Sequence, residues 1–374
     1  MRVLMTGGGT GGHVNPALAI AEIIKTNEPD SEIAFVGTER GIENTLVPKA
    51  GYELHHVNIQ GIERSLSLSN VKTACLIVTS QFEARKILKE FKPDIVIGTG
   101  GYVCWPLLRV AAAMKIPTVI HESNAIPGFA VKQLKNKVDV IMTNFESTTK
   151  SLDCKAKTVQ VGNPVSAEYG KYTKSEARAL LGIPDEIDSI VLSFGGSGGA
   201  RRMNDSMLKV MSALTSKRPS VMHYHACGKR DLSYTEKCFA EYGLEGKKNL
   251  VLSEYIYNMP IVMAAADIVI CRAGAMTLSE VAAVGRAAII VPSPNVTDDH
   301  QYKNAKQLAD EDAAIVIKES ELTDKLMTET VEALIKNPAR REKMAENISA
   351  FATNDVRERI YSEIRELLDK GQKK

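Results

Sequence analysis

Short apolar runs alternate with longer amphipathic stretches along the whole chain, and this alternation constrains the fold more than any other feature. The first half predicts strands from Val3–Thr6 to Thr158–Val161, and the second half predicts strands from Ile190–Phe194 to Ala313–Ile317. Stretches with helical periodicity, such as Pro16–Lys25, separate them. Strands that alternate with helices indicate βαβ units with right-handed crossovers, and therefore an α/β protein with parallel sheets.

The pattern restarts near the middle of this 374-residue chain. Gly162-Asn163-Pro164 ends the first set of strands, and the polar stretch that follows is typical of a linker. We expect a Rossmann-like domain over 1–163, a second over 164–351, and a C-terminal helix of about 352–374 that packs back on the first. Ligands bind beyond the carboxyl ends of parallel strands, so two such domains predict a site in the cleft that they face.

Two glycine-rich loops, Gly7–Gly12 and Gly195–Gly199, each follow a predicted strand and open a helix. Glycine lets backbone amides approach an anion, and a helix N-terminus adds partial positive charge. His13 stands where a P-loop would need lysine, and Glu39 alone could serve as the acidic residue of a nicotinamide site. We therefore favour a diphosphate ligand over a dinucleotide. Close packing of strand on helix is the alternative explanation for either loop taken alone.

Polar clusters follow three other predicted strands. His121, Glu122 and Asn124 come after a strand that ends at Ile120, where site residues often project. The alternative is a surface turn in which Asn124 caps the next helix. The stretches 271–280 and 292–301 occupy equivalent places, with helix capping or complementing the helix dipole as their alternatives. The Asp-x-Asp at 310–312 precedes a strand, which is the wrong end for a site, so we predict no catalytic metal.

Composition excludes several classes of protein. A net charge of +2 and a pI of about 8.1 do not indicate nucleic-acid binding. No secretory signal is expected at the first residues, and no apolar run reaches the roughly 18 residues of a membrane span. The six cysteines lack metal-ligand spacing, so we expect free thiols in a reducing cytoplasm.

Six ordered motifs together resemble the MurG family of bacterial peptidoglycan N-acetylglucosaminyltransferases, over essentially the whole chain. They are Gly8-Gly9-Thr10-Gly11-Gly12-His13, His121-Glu122-x-Asn124, Gly162-Asn163-Pro164, Gly195-Gly196-Ser197-x-Gly199-Ala200, Cys271-Arg272-x-Gly274-Ala275-x-Thr277-x-x-Glu280 and Asp299-x-Gln301. The resemblance implies a GT-B fold of two Rossmann-like domains. It also implies inverting transfer of N-acetylglucosamine from UDP-N-acetylglucosamine to lipid I, the undecaprenyl-linked muramyl-pentapeptide, to form lipid II without a cofactor.

The resemblance further assigns site residues. The backbone of Ile256 would contact the uracil, Glu280 the ribose and Ser197 the phosphates. Ser166 occupies a position where some members have an arginine that contacts the donor, a departure from the family pattern. The residues expected around the sugar are Asn124, Ala275, Met276, Thr277 and Gln301, with Thr10, Gly11 and Gly12 contributed by the other domain.

Inverting transfer needs a base for the acceptor hydroxyl and a means of stabilising the departing UDP. We favour His13 as the base, since its ordinary pKa of about 6.5 suits neutral pH, with Glu122 and His121 as second choices. The alternative role for His13 is a hydrogen-bond donor to phosphate. Backbone amides at Ser197 and Ala275–Thr277 would stabilise the leaving group, which would explain the lack of metal ligands.

Lipid I is membrane-bound, so we expect a peripheral protein on the cytoplasmic side of the cell membrane. The stretch Leu66–Phe82, followed by Arg85, Lys86 and Lys89, could dock on anionic lipids. A core helix with a solvated basic face is the alternative. Two competing functions remain open, namely an isomerase similar to UDP-N-acetylglucosamine 2-epimerase and a sensor that binds the sugar nucleotide without turnover.

Overall fold

The computed structural model describes residues 1–60, 69–196, 198–296, 299–353 and 355–372, with only the helical backbone at 69–75 and 371–372. The chain forms two compact units. Unit 1 comprises Met1–Ser166 together with Asn354–Lys374, and unit 2 comprises Ala167–Thr353.

Within the described residues, unit 1 contains a seven-stranded parallel sheet in the order β3-β2-β1-β4-β5-β6-β7. Its strands are β1 (Arg2–Thr6), β2 (Glu32–Gly37), β3 (Glu53–His56), β4 (Ile95–Gly98), β5 (Thr118–Glu122), β6 (Val140–Thr143) and β7 (Lys157–Gln160). The interior strand β1 pairs Val3 with Ile33 on one side and with Ile95 on the other. Such continuously apolar strands form because helices cover both faces of the sheet.

The helices of unit 1 are α1 (Gly11–Asn27), α2 (Glu43–Lys49), α3 (Ser69–Phe91), α4 (Cys104–Ala113), α5 (Phe129–Leu134), α6 (Glu146–Ser151) and α15 (Val356–Gln372). One apolar cluster joins α1 to β1 on one face of the sheet, and another joins α4 to β4 and β5 on the other face. The C-terminal helix α15 contributes Val356, Ile360 and Ile364 to the first cluster. These residues repeat every four positions, so they form one apolar stripe along the helix.

Unit 2 contains a six-stranded parallel sheet in the order β10-β9-β8-β11-β12-β13, counted over the described residues. Its strands are β8 (Ser189–Phe194), β9 (Val221–Ala226), β10 (Leu250–Ser253), β11 (Ile268–Cys271), β12 (Ala287–Ile290) and β13 (Ala314–Val316). Its helices are α7 (Lys174–Leu180), α8 (Arg201–Ala213), α9 (Leu232–Glu241), α10 (Met259–Ala265), α11 (Ala275–Val284), α12 (His300–Asp310), α13 (Asp324–Lys336) and α14 (Pro338–Ser349).

The predicted α/β class with two parallel-sheet domains is confirmed. Two strands differ from expectation. The short edge strand β3 was not predicted, because Glu53 and His56 are polar and its residues lack an apolar run. The strand β5 continues to Glu122 rather than ending at Ile120, which changes the surroundings of His121.

None of the helices in the described part of the chain has the length and hydropathy of a membrane span. The described cysteines carry free thiols, and those of Cys104, Cys227 and Cys271 are buried.

Candidate active site

In unit 1 the loops after β1 and β4 leave the sheet side by side. The register pairs Thr6 at the end of β1 with Gly98 at the end of β4. The strand order runs in opposite directions from this point, with β2 and β3 on one side and β4 to β7 on the other. Ligands of open α/β sheets bind at such a switch point. The first glycine loop and the loop at Thr99–Gly101 therefore occupy the expected place for a site.

His13 lies in the first turn of α1 and is fixed by the loop after β4. The Thr99 hydroxyl donates to the His13 carbonyl oxygen at 2.6 Å, and His13 Nδ1 lies 3.1 Å from the Thr99 carbonyl oxygen. Because a carbonyl oxygen can only accept, Nδ1 carries the hydrogen and Nε2 carries a lone pair. Gly100 has φ of +109°, and a Cβ there would lie 2.5 Å from His13 Nδ1, so the imidazole position requires glycine.

The protonation state of His13 suits a base. Burial lowers the pKa of this half-buried histidine, while the Glu122 carboxylate, the hydrogen bond to Thr99 and the Glu43 carboxylate raise it. The net direction is downward from the ordinary value. The imidazole is therefore neutral at neutral pH, which is the state that a general base needs.

Glu43, the first residue of α2, is a buried carboxylate that the sequence analysis did not single out. It accepts hydrogen bonds from Gly9 N at 2.9 Å, from Thr38 N at 3.0 Å and from Thr38 Oγ1 at 2.9 Å. The Gly9 amide is thus bonded inside the protein, and the first glycine loop loses it as a donor to a ligand. In sequence, the polar stretch around Glu43 resembles a solvent-exposed turn, so no local signal marks this residue.

His121 is enclosed, because β5 runs two residues further than predicted. Its side chain is fully buried, Nε2–H donates to the Gly162 carbonyl oxygen at 2.8 Å, and the Ser123 hydroxyl lies 3.4 Å from Nδ1. Burial lowers the pKa of His121 to about 4, against an upward contribution from the Gly162 hydrogen bond. Both ring nitrogens are engaged within the protein, which favours a structural role over the second-choice base role.

Glu122 organises the loop that follows β5. Its Oε1 accepts from Asn124 N at 2.9 Å and from Asn124 Nδ2 at 3.0 Å, and its Oε2 accepts from Gly128 N at 2.6 Å. Both carboxylate oxygens are therefore engaged within the protein. Asn124 does not cap a helix, since α5 begins at Phe129 with Gly128 before it. Glu122 therefore acts on His13 through its charge and holds Asn124 in place.

The remaining candidates of unit 1 lie around α1. Thr10 and Gly12 are exposed and Gly11 is half-buried, and the Thr10 carbonyl oxygen accepts from His13 N at 3.1 Å. Ser166 Oγ donates to Glu22 Oε2 on α1 at 2.9 Å. The loop at Thr10–Gly12 thus presents small groups beside the imidazole, and the Ser166 hydroxyl is bonded within unit 1.

In unit 2 a glycine loop again follows the end of a strand, but other residues hold it in place. Phe194 at the end of β8 pairs with Cys271 at the end of β11, so the second glycine loop starts beside 272–274. Ser197 lies outside the described residues. Gly199 packs on Gly228, where a Cβ would lie 2.3 Å from Gly199 N. Arg201 Nη2 donates to Asp231 Oδ1 at 2.9 Å, so the 228–231 turn fixes the start of α8.

A buried chain of hydrogen bonds under this loop also went unpredicted. The Ser193 hydroxyl lies 2.8 Å from both His223 Nε2 and His225 Nδ1, and His225 Nε2–H donates to Asn204 Oδ1 at 3.2 Å. Burial, then the neighbouring His225, lowers the pKa of His223 to about 3, and burial lowers that of His225 to about 4. Both histidines are neutral, and they tie β8 and β9 to α8.

The helix α11 brings four predicted residues together. Ala275 and Met276 are buried in its first turn, Thr277 is half-buried, and Gly274, which precedes the helix, has no side chain that could cap it. A helix N-terminus of this kind favours an anion. Arg272 is paired with Glu319 and donates to the carbonyl oxygens of 291 and 292, so it holds the loop after β12.

Glu280, the fourth residue, is buried one turn further along α11. Burial raises the pKa of Glu280 to about 8, and a hydrogen bond from the Tyr169 hydroxyl lowers it. The charge of Glu280 in turn contributes to raising the pKa of Tyr255. The predicted contact with ribose hydroxyls needs the carboxylate form, so this unusual pKa bears directly on it.

Ile256 and Gln301 complete the predicted set in unit 2. The Ile256 side chain is buried in the core, so any contact with a nucleobase must come from its backbone. Gln301 Oε1 accepts from Ser293 N at 2.8 Å and ties α12 to the loop after β12. Asp299 precedes α12 with φ of 51° and makes no side-chain capping bond. Each predicted residue of unit 2 that the structure describes thus lies on a strand-end loop or on the helix that follows it.

Over the residues that the structure describes, no group of three or more His, Cys, Asp or Glu side chains could hold a metal ion. The absence of a catalytic metal and of a cofactor stays a prediction.

A groove of about 600 Å³ lies between α3 and α4 of unit 1. Val78 and Phe82 line it and are 54% and 70% exposed, and Arg85, Arg109 and Lys137 add positive charge. The opposite face of α3 buries Ala84 and Leu88 in the core. The helix is thus a core element on one side and an apolar, basic-edged surface on the other. The Leu66–Leu68 part of the predicted docking stretch lies outside the described residues.

Two family models match the chain. The N-terminal domain of glycosyltransferase family 28 matches residues 3–143, and the C-terminal domain of that family matches residues 190–360.

The chain is 40% identical to a protein of Acetivibrio thermocellus named UDP-N-acetylglucosamine--N-acetylmuramyl-(pentapeptide) pyrophosphoryl-undecaprenol N-acetylglucosamine transferase, over 98% of each chain. Among solved structures, that of Acinetobacter baumannii MurG is 29% identical, with a TM-score of 0.69 over 98% of this chain and 99% of that one. UDP-GlcNAc 2-epimerase from Neisseria meningitidis has a TM-score of 0.65 over 98% of this chain and 100% of that one, but at 18% identity it shows a similar fold alone.

Proposed function

Because this chain belongs to the UDP-N-acetylglucosamine--N-acetylmuramyl-(pentapeptide) pyrophosphoryl-undecaprenol N-acetylglucosamine transferases of glycosyltransferase family 28, we propose that it transfers N-acetylglucosamine from UDP-N-acetylglucosamine to lipid I, forming lipid II for peptidoglycan synthesis. The near-full-length match to transferases of this name carries the proposal. The GT-B fold expected from the sequence is confirmed by the same relatives. The epimerase alternative has only a similarity of fold in its favour.

In this proposal, residues 164–351 hold the donor and residues 1–163 hold the acceptor. Two features of unit 2 support the first assignment. The N-terminus of α11 favours phosphate, and Glu280 lies one turn beyond it, where a carboxylate can accept two ribose hydroxyls. Ile256 offers its backbone to the uracil, and Gln301 with Ala275, Met276 and Thr277 surrounds the sugar. Ser197 belongs to the same assignment by the family motif.

His13 takes the proton from the acceptor hydroxyl. Its Nδ1–H is used by the Thr99 carbonyl oxygen, so Nε2 is the nitrogen that can accept a proton. Glu122 and Glu43 then stabilise the imidazolium that forms, because both carboxylates act on this ring. Asn124 and the Thr10–Gly12 loop position the sugars near the imidazole. Attack on the face opposite the leaving group inverts the anomeric carbon through an oxocarbenium-like transition state.

The departing UDP gains negative charge as the glycosidic bond breaks. Helix N-termini act without reorganisation where such charge develops, and removing one preorganised donor typically costs about 10²–10³ in kcat. In this proposal the second glycine loop ahead of α8 and the start of α11 supply these donors. We expect the rate to be unaffected by a chelator, since these dipoles supply the stabilisation.

The acceptor also brings the protein to a membrane surface on the cytoplasmic side. The groove between α3 and α4 supports this part of the proposal, because exposed Val78 and Phe82 can enter the headgroup region while Arg85, Arg109 and Lys137 face anionic lipids. No nucleic-acid partner is expected.

Radiolabelled transfer to a short-chain lipid I analogue tests the function and the base together. The wild-type protein should convert the analogue to labelled disaccharide, and His13→Ala should lower kcat by about 10²–10⁴. The same protein incubated with donor alone distinguishes the classes. Conversion of the donor to its 2-epimer would show that the protein is an isomerase rather than a transferase. Binding of the donor without product, in the presence or absence of the acceptor, would indicate a sensor. A loss below tenfold in His13→Ala would remove His13 from the base role.

A further inference from the structure

The Glu43 carboxylate lies directly under the first glycine loop, at the start of α2. It is fully buried, and it is bound by the backbone amides of Gly9 and Thr38 and by the Thr38 hydroxyl, at 2.9, 3.0 and 2.9 Å. Three donors of this kind satisfy a carboxylate in its charged form. The Glu43 carboxylate therefore occupies the inner side of the loop. The Gly9 amide donates to this carboxylate rather than to a ligand.

Glycines surround this carboxylate closely. A Cβ added to Gly8 would lie 2.7 Å from Glu43 Oε1, one added to Gly37 would lie 2.6 Å from Glu43 Cγ, and one added to Gly41 would lie 1.9 Å from Glu43 Oε2. Backbone from the loop after β1 and from the end of β2 thus encloses the side chain. The carboxylate is held rigidly, and it holds the turn at Gly8–Gly9 in return.

His13 follows that turn by four residues and starts α1 together with Gly11 and Gly12. Its ring is fixed on one side by Thr99 and Gly100, and the Gly8–Gly9 turn lies in the segment that connects β1 to the start of α1. Glu43 also acts on the ring through space, since its charge is among the causes that raise the pKa of His13. The carboxylate therefore affects both the place and the basicity of the imidazole.

We propose that Glu43 is a positioning residue for the transfer reaction, which fixes the first glycine loop so that His13 Nε2 meets the acceptor hydroxyl. This inference rests on the proposed role of His13 as the base. Glu43 touches neither substrate in this account, and its effect on the rate passes through His13.

Glu43→Gln is the informative change, because glutamine has nearly the same shape but one amide NH₂ must face a backbone N–H that the carboxylate accepted. We expect kcat to fall by about 10²-fold, the order of effect that a displaced catalytic group produces, with the KM for UDP-N-acetylglucosamine changed less than about threefold. Glu39→Gln is the matched control, since Glu39 is exposed in the turn that precedes α2 and should retain the wild-type kcat.

A double-mutant cycle with His13→Ala shows whether Glu43 acts through His13. If it does, Glu43→Gln should change the residual rate of His13→Ala less than about threefold, far from additive with its effect in the wild type. An equal loss in both backgrounds would overturn the positioning role while leaving the base role intact. A loss of kcat below tenfold in His13→Ala would remove the base role itself. The base role of His13 and the positioning role of Glu43 are therefore tested by different results.

The pH dependence of kcat gives a readout that a purely structural role would not move. The carboxylates that affect the pKa of His13 are Glu122 from β5 and Glu43 from α2. The Cys104 thiol of α4 accepts a hydrogen bond from Gly100 N, beside the ring. Removing the Glu43 charge lowers the pKa of His13, so the acid limb of the kcat profile should move to lower pH in Glu43→Gln. A limb that stays in place while kcat falls would refute the electrostatic part of the inference.

Thr38 offers a second route if Glu43→Gln does not fold. Thr38→Val removes one of the two bonds to Glu43 Oε1 and keeps the charge, whereas Thr38→Ser keeps the hydroxyl. Thr38→Val should lower kcat severalfold relative to Thr38→Ser, with the acid limb unmoved. Equal kcat values in this pair would overturn the inference.

Discussion

Donor binding should depend on pH through Glu280. Burial raises the pKa of this carboxyl to about 8, so at pH 7 only about one-tenth of the protein carries the carboxylate that two ribose hydroxyls require. The apparent Kd is the intrinsic Kd divided by the competent fraction. The Kd for UDP should therefore fall about tenfold between pH 7 and pH 9 and then level off. Binding at pH 7 should release close to one proton.

Isothermal titration calorimetry in two buffers of different ionisation enthalpy measures both quantities. The window from pH 7 to pH 9 lies above the second phosphate ionisation, at about pH 6, so the charge of the phosphates changes little. Glu280→Gln should bind UDP more weakly, with a Kd that is flat over this range and no proton release. A wild-type Kd that stays constant from pH 7 to pH 9, together with weaker binding by Glu280→Gln, would refute the protonation argument.

The raised pKa of Glu280 also makes the stability of the fold depend on pH. The folded state raises the pKa of Glu280 above its ordinary value, so its protonated form is the one that folding favours. The stability from this group is therefore present below about pH 4.5 and is lost as the pH rises through about 8. Glu280→Gln should lose less stability than the wild type between pH 6 and pH 9 in urea unfolding. Equal losses of stability by the wild type and Glu280→Gln over this range would contradict an upward shift of the Glu280 pKa.

Three further predictions concern other parts of the molecule. Ser193→Ala leaves buried nitrogens of His223 and His225 without a partner and should cost about 1–3 kcal/mol for each in urea unfolding; a change below about 0.5 kcal/mol would be contrary evidence. Gly100→Ala should lower kcat by about 10²-fold, because its Cβ would displace His13, and an unchanged kcat would argue against this packing. Phe82→Glu should weaken binding to anionic vesicles about tenfold or more, unlike Leu180→Glu in unit 2, while transfer to a water-soluble acceptor continues; equal binding by both would exclude this groove.

Most of the fold could be predicted because most of its strands contain apolar runs. Runs such as Ile190–Phe194 are buried on both faces, and the structure places a strand over Ser189–Phe194. The exception, β3, lies at a sheet edge, where burial on one side does not force an apolar pattern. The ends of strands are harder to predict from an apolar pattern, because polar residues such as His121 and Glu122 can extend a strand, as they do in β5.

The candidate site was predictable as a set of strand-end loops, but the partners of each side chain were not. The sequence suggested His121 as a second-choice base because it follows an apolar run, whereas burial and its bond to Gly162 favour a structural role. Glu43 lies far from the first glycine loop in sequence, and only the βαβ crossover brings its carboxylate under that loop. Contacts of this kind depend on the packed fold and leave no local pattern in the chain.

The proposed base role requires that His13 be neutral at neutral pH with its hydrogen on Nδ1, so that Nε2 can take a proton. Long-range ¹H–¹⁵N correlation spectra of the protein labelled at histidine, compared with those of His13→Ala, observe this directly. We predict an Nδ1–H tautomer for His13 at pH 7 that becomes charged only below the ordinary histidine pKa of about 6.5. An Nε2–H tautomer, or a His13 that is already charged at pH 7, would contradict the account.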